Sequence, residues 1–188
     1  MNIIVKPYGN DLCYCRPDTT WERENRDFYS PECVNEIHFA PVVFARVSKA
    51  GKCIGKKFVE RYYDGIGCGV LLYGAQEASC GSCRMISHID RSSILPSPLY
   101  NPVVLEDGEK VFDINTGKDE QISIVLEQAK TLLEDAICSS SELISLRIGD
   151  FVAVELEPAR VLAGRADGEA SLKGTFCENE IFGLKVIL

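Results

Sequence analysis

The sequence predicts a mostly β, α+β fold with one principal helix. Three features carry that expectation: short β-branched runs punctuated by glycine and proline, one stretch with helical hydrophobic spacing from Gln121 to Cys138, and a turn and strand from Leu146 to Leu156. The 188 residues are 46% hydrophobic, enough to bury a core within a single domain. Within it, residues 1–40 read as an irregular N-terminal segment and 41–188 as the core.

Ile3 to Val5 is a β-branched run ended by Pro7, and Tyr8 to Asp27 reads as a long polar loop. Inside that loop Trp21, Glu22, Arg23, Glu24 and Arg26 predict a short charged helix capped by Asp18 or Thr19. Val42 to Val47 is a compact apolar run after Pro41 and predicts a buried strand, with Lys49 to Lys52 turning into a further extended piece. Gly65, Gly67 and Gly69 exclude a stable helix between Tyr62 and Gly74 and predict a kinked strand ending at Val70 to Gly74. They do not form a phosphate loop, because an apolar strand rather than a helix follows them. From Ala75 to Pro98 no hydrophobic period is sustained, which predicts a loop.

Asp107-Gly108, between Val103–Glu106 and Glu109–Ile114, is the clearest hairpin signal, since that dipeptide suits the positive φ angles of a type I′ turn. Ile122, Val125, Leu126, Ala129, Leu132, Leu133, Ala136 and Ile137 then recur at three- and four-residue steps. That spacing predicts a core-facing helix over 121–138, ended by Ser139, Ser140 and Ser141. Ile148-Gly149-Asp150 predicts a turn, Phe151 to Leu156 a strand, Gly164 to Ser171 a linker-like stretch, and Phe182 to Leu188 a closing strand.

A net charge of −8 without clustered Lys and Arg argues against a nucleic-acid partner. No run approaches the roughly 20 apolar residues that span a bilayer, and the N-terminus lacks the pattern of a secretory leader, so a cytoplasmic protein without a membrane partner is expected. The nine cysteines are odd in number and scattered, which favours reduced, free thiols. Cys13 with Cys15 and Cys80 with Cys83 leave a tetrahedral zinc site as the alternative.

The order Pro41-Val42-Val43-Phe44-Ala45-Arg46, Asp107-Gly108-Glu109, the helix at 121–138, and Leu146-Arg147-Ile148-Gly149-Asp150 resembles the catalytic domain of the fumarylacetoacetate hydrolase family. The resemblance implies mixed β-sheets rolled around one main helix, a homodimer, and Mg²⁺ or Mn²⁺ held by three carboxylates. A hard cation of that kind chelates a dicarbonyl and stabilises an enolate. The chain departs from the family's pattern at the groups that do this. The Glu-x-Glu position falls on Asp64-Gly65-Ile66 or, in a shifted alignment, on Ile66-Gly67-Cys68; the lid histidine is missing, since only His38 and His88 exist; and the Gly-Thr-Pro turn has become Glu155-Leu156-Glu157-Pro158.

The residues left to hold a metal are Asp64, Asp90 and Glu60, and those left for catalysis are His88, Asp90 and Arg46, the last standing where the family has lysine. His88 and Asp90 share a face if extended, while a surface loop with a solvated His and an Asp paired to Arg91 explains them as well. Arg16, Trp21, Arg23 and Arg26 offer a carboxylate site or a charged surface helix. The expected function is that of a diverged relative with altered or lost metal chemistry that binds a small carboxylate or dicarbonyl ligand or a partner. The alternatives are an active Mg²⁺-dependent hydrolase, lyase or tautomerase of 2-oxo acids or diketones, and a zinc-stabilised domain.

Overall fold

A computed structural model of the chain describes residues 1–77, 83–106, 109–117 and 121–188. Among them are fourteen strands and one α-helix: β1 Asn2–Lys6, β2 Tyr14–Pro17, β3 Trp21–Glu22, β4 Phe28–Tyr29, β5 Glu36–Val47, β6 Tyr63–Glu77, β7 Cys83–Ile86, β8 Ser93–Ile94, β9 Val111–Asn115, β10 Gln121–Val125, α1 Ala129–Leu143, β11 Phe151–Glu155, β12 Arg160–Gly164, β13 Glu169–Phe176 and β14 Asn179–Ile187. A mixed sheet runs β2-β1-β11-β5-β6-β8-β3, with β12 on β5 and β7 on β6; a smaller sheet runs β10-β9-β13-β14-β4. The mostly β architecture with one main helix is as expected.

β5 and β6 form the spine, paired antiparallel from Glu36↔Ala75 to Val47↔Tyr63. Their alternation sorts side chains onto two faces. On one, Val43, Ala45, Ile66, Cys68, Val70 and Leu72 join Leu133, Ala136 and Ile137 of α1 and Phe112, Phe176 and Phe182 of the small sheet. On the other, Val42, Phe44, Leu71 and Tyr73 join Ile3, Val5, Leu95 and Phe151, with Tyr14 and Trp21 packed against them. Edge-to-face contacts order this second cluster: Phe44 to Phe151 at 5.5 Å and Trp21 to Phe151 at 5.1 Å. Such pairs add about 0.5–1.5 kcal/mol beyond burial.

Pro41 is accommodated in the middle of β5 because β11 ends at Glu155↔Val42 and β12 begins at Arg160↔Phe39, so the missing N–H falls in the gap between two neighbours. The glycines of β6 serve close packing. A methyl group at Gly67 would enter the Phe44 ring, and one at Gly69 would strike the Ile94 carbonyl oxygen. At the turn before β11, Gly149 has φ +88° and Asp150 is fully buried, its carboxylate accepting the N–H of Asn2 and of Arg147 at 2.8 Å each. That carboxylate fixes β1 beside β11, where the two strands pair in parallel.

Several local expectations are corrected. The helix begins at Ala129, not Gln121: residues 121–125 form β10, with Ile122 and Ile124 buried at a spacing of two and Val125 exposed. Isoleucine and valine read equally as a helix stripe or a strand face, and pairing with β9 decides it. The helix also runs through the three serines to Leu143, because their hydroxyls bond back to the preceding turn, as Ser140 Oγ does to the Ala136 carbonyl at 2.6 Å. Ser141 Oγ in addition accepts the Ile54 N–H at 2.8 Å.

Trp21 to Arg26 is not a helix; Trp21 and Glu22 pair in parallel with Ser93 and Ile94. Residues 75–98 are not simply a loop, since β6 continues to Glu77 and β7 and β8 return along it. Val103 to Leu105 lies in a 3-10 turn capped by Asn101, and a second 3-10 segment, Lys56–Arg61, replaces the extended piece after Lys52. Gly164 to Ser171 is a tight turn, Asp167 Oδ2 accepting the Gly164 N–H at 2.8 Å, that carries the chain into β13. Asp107-Gly108 and Cys80 lie outside the described residues. Residues 1–40 supply β1 to β4 and the start of β5, so they are part of both sheets rather than irregular.

Candidate functional site

The sequence-derived site residues are scattered over the surface. Arg46 on β5 and Asp64 on β6 meet: Nε and Nη2 of the arginine donate to Asp64 Oδ1 at 3.1 and 3.0 Å, both side chains about half exposed. Glu60 is held by Lys130 of α1 at 2.6 Å, and that bond is the main reason its carboxyl is held below the ordinary range. Lys130 also pairs with Glu106. His88 and Asp90 are exposed, and Arg91 between them and β8 takes φ +59°.

The donor set does not suit a hard divalent cation. Where the shifted alignment places the family's two glutamates, Ile66 and Cys68 are fully buried; isoleucine has no ligand atom, and burial pushes the Cys68 thiol up, away from the thiolate. In the other alignment Asp64 is engaged by Arg46. Among the described residues no group of three or more His, Cys, Asp or Glu is placed to hold a metal ion. Cys13 and Cys15 are free thiols, both pushed up chiefly by burial.

The structure builds a different cluster, on the second face of the large sheet. Tyr14 and Arg16 stand two apart on β2 and so share a face, Tyr73 comes from β6, and Glu155 ends β11. Arg16 is 1% exposed. Its Nη1 donates to the carbonyls of Leu72 (3.1 Å) and Ser92 (3.3 Å) and to the hydroxyls of Ser92 (3.2 Å) and Ser93 (3.3 Å). Nη2 reaches the Leu72 carbonyl at 3.1 Å and Nε the Tyr14 hydroxyl at 3.4 Å. The guanidinium carbon lies 4.4 Å from the Tyr73 ring centre. Burial of a cation with only neutral acceptors around it is costly, and dense hydrogen bonding offsets that cost.

From Arg16 a chain of hydrogen bonds leads to a buried anion. The hydroxyls of Tyr14 and Tyr73 lie 2.6 Å apart, and Tyr73 donates in a short bond to Glu155 Oε1. Glu155 is 8% exposed, and its Oε2 accepts the backbone N–H of Tyr8 at 3.0 Å. Burial holds the Tyr73 phenol well above its usual range; the Arg16 charge opposes that, and Tyr14 and Glu155 add to it. Above the cluster opens a cleft of about 300 Å³ walled by Pro7, Tyr14, Tyr73, Met85, Ser87 and Glu155. A cleft over converging buried polar and charged groups is where a ligand site is expected.

Two of these residues carried a signal in the sequence. Arg16 stood out as a cation in the N-terminal loop, and Glu155 as an acid in place of the family's Gly-Thr-Pro turn. Tyr14 and Tyr73 carried none, because nothing in the sequence joins residues 59 apart across the sheet. A second cleft of about 420 Å³ lies beside Gly67 and Cys68, walled by Pro96 to Tyr100 and Asn179 to Ile181.

No protein-family model matches the chain, and no curated protein is similar to it in sequence. Solved structures are similar in fold. A putative fumarylacetoacetate hydrolase family protein from Yersinia pestis CO92 matches with TM-score 0.76 and 13% identity over 99% of this chain and 92% of that one. Fumarylpyruvate hydrolase from Pseudomonas aeruginosa, in complex with Mn²⁺ and pyruvate, matches with TM-score 0.77 and 14% identity over 100% and 90%. Maleylpyruvate hydrolase from Sphingobium sp. SYK-6 matches with TM-score 0.77 and 13% identity over 99% and 70%. The chain has the fold of the fumarylacetoacetate hydrolase family. No helix among the described residues is long and apolar enough to cross a membrane.

Proposed function

We propose that this chain is a fumarylacetoacetate-hydrolase-fold protein with altered chemistry, which binds a small organic ligand at the Tyr14–Tyr73–Glu155 cleft without a divalent metal. The observation that carries the reading is the position of charge. The buried carboxylate at a cleft is Glu155, bonded by a phenol and a backbone N–H, while the β6 positions that could match the family's metal ligands hold either Ile66 and Cys68 or Ile66 and an Asp64 engaged by Arg46. A site of phenols, a carboxylate and a buried guanidinium can orient a ligand and exchange protons with it. It supplies no Lewis acid for cleaving a carbon–carbon bond. A homodimer, implied by the family resemblance, and the cytoplasmic location expected from the sequence belong to the same proposal.

The test is a ligand-observed NMR screen of small acids, amines and dicarbonyls, run with and without Mg²⁺ and Mn²⁺, beside an assay for cleavage of an acylpyruvate. The reading expects binding that does not depend on metal and that Ala159→Trp, at the mouth of the cleft, abolishes. Metal-dependent cleavage of the acylpyruvate would overturn it in favour of an active 2-oxo acid hydrolase of the kind its structural neighbours include.

A further inference from the structure

We propose that the ligand of this cleft is a small primary amine, held as its ammonium ion by Glu155, and not a carboxylate. The proposal rests on the assignment of the Tyr14–Tyr73–Glu155 cleft as the ligand site and deepens it.

The direction of the hydrogen bonds decides the ligand's chemistry. A carboxylate only accepts, so the single proton of the Tyr73 hydroxyl goes to Glu155 Oε1. Tyr73 then has no proton left for Tyr14, and the 2.6 Å contact between the two hydroxyls is filled by the proton of Tyr14. Arg16, which only donates, completes the order by giving its Nε–H to the Tyr14 oxygen at 3.4 Å. Both phenolic protons are therefore committed inside the protein.

The cleft presents mainly acceptors. A carboxylate has about four lone-pair directions, and Glu155 uses two of them, accepting one phenol at Oε1 and one backbone N–H at Oε2, which leaves the others open to a donor. Arg16 does not serve as an anion site, since it is 1% exposed and its Nη atoms are aimed at Leu72, Ser92 and Ser93. Among the described residues of the cleft wall there is no Lys, Arg or His, and Ser87 is the remaining hydroxyl. An incoming carboxylate would meet Glu155, itself only 8% exposed, as a like charge, with no cation among the described wall residues to receive it. A ketone or diketone, which only accepts, would leave the Glu155 lone pairs unmet.

An ammonium group satisfies the same wall. It donates to Glu155, its charge can lie against the Tyr14 ring, and a short aliphatic stem covers Pro7, Met85 and Ala159. The cleft volume of about 300 Å³ suits a compact ligand.

Tyr8 provides the reporter, because its backbone N–H is bonded to Glu155 Oε2. In ¹H–¹⁵N spectra at fixed pH, n-butylamine should shift the Tyr8 amide saturably, while butyrate and acetylacetone should not. Glu155→Gln should weaken the amine by about tenfold or more, as loss of a charged partner in a desolvated pair does. Since Glu155→Gln also alters the bond from Tyr73, Ala159→Trp gives an independent check by filling the cleft while leaving that bond intact, and should abolish the shift. Saturable binding of butyrate or acetylacetone, blocked by Ala159→Trp, without binding of butylamine would overturn the amine assignment and leave the cleft as the site. Linear, unsaturable amine shifts that both variants retain would mark surface pairing and overturn the amine assignment. Silence from all three probes at Tyr8 would overturn the cleft itself.

Discussion

Tyr14 and Tyr73, 59 positions apart in the chain, bring their hydroxyls within 2.6 Å and so link a buried arginine to a buried glutamate. Removing the middle member tests the link. Tyr73→Phe leaves Glu155 Oε1 and the Tyr14 hydroxyl without their shared partner, and one buried polar group left unmet costs about 1–3 kcal/mol. Urea unfolding should show that loss. Tyr14→Phe and Tyr73→Phe together should cost less than the sum of the two singles, since each single already breaks the same contact.

Alkaline pH should destabilise the protein through the same residues. Burial is the largest cause of raised phenols at Tyr73, Tyr63 and Tyr100. The folded chain thus keeps protons that the unfolded chain releases near the ordinary phenol value of about 10. Their contribution to stability is full below that value and falls as pH rises above it. Phenolate absorbance should show these groups ionising only as the chain unfolds, and Tyr73→Phe should flatten the pH dependence. Three tyrosines titrating early in the folded protein would refute the burial argument.

Arg16→Met keeps much of the aliphatic bulk but removes every guanidinium donor. The Leu72 carbonyl then loses its partner in a dry place, whereas the Ser92 carbonyl keeps the Leu72 N–H, and the unmet group is expected to cost about 1–3 kcal/mol. Arg16→Lys should recover only part of it, because one ammonium cannot reproduce the planar fork that meets Leu72, Ser92, Ser93 and Tyr14 together. Denaturant midpoints for the two variants measure both effects.

Cys68 should be inert toward thiol reagents in the folded protein, because burial both shields the sulfur and disfavours its thiolate. Among the described cysteines Cys15, Cys33 and Cys53 are exposed and should react before Cys68. Mass spectrometry after a brief alkylation, with and without denaturant, separates the two groups.

The spine of the fold was legible because β5 and the Gly149 turn before β11 are written in local chemistry: a β-branched run, and a glycine at φ +88° beside a buried aspartate. β10 was misread because Ile122, Val125 and Leu126 satisfy a helical spacing, and only the neighbouring strand β9 reveals that Ile122 and Ile124 face inward. Asp64 is suggested by the family's Glu-x-Glu position and Glu60 by its place beside the glycine-rich strand, yet each is answered by a cation from elsewhere, Arg46 and Lys130. The site itself is assembled from three strands that are distant in sequence. Arg16 and Glu155 were visible as unusual charges, but their connection through two phenols exists only after pairing of β2, β6 and β11 within one sheet.

On the function proposed above, a phenol–carboxylate cluster, and not a carboxylate-bound metal, occupies the working site of this fold. Electron paramagnetic resonance of Mn²⁺ titrated into the protein tests it most directly, since the free aquo ion gives a strong signal that binding suppresses. The signal should rise in proportion to added Mn²⁺ from the first addition, identically for the wild type, Asp64→Asn and Asp90→Asn. Stoichiometric loss of the free-ion signal in the wild type, relieved by Asp64→Asn or Asp90→Asn, would contradict it.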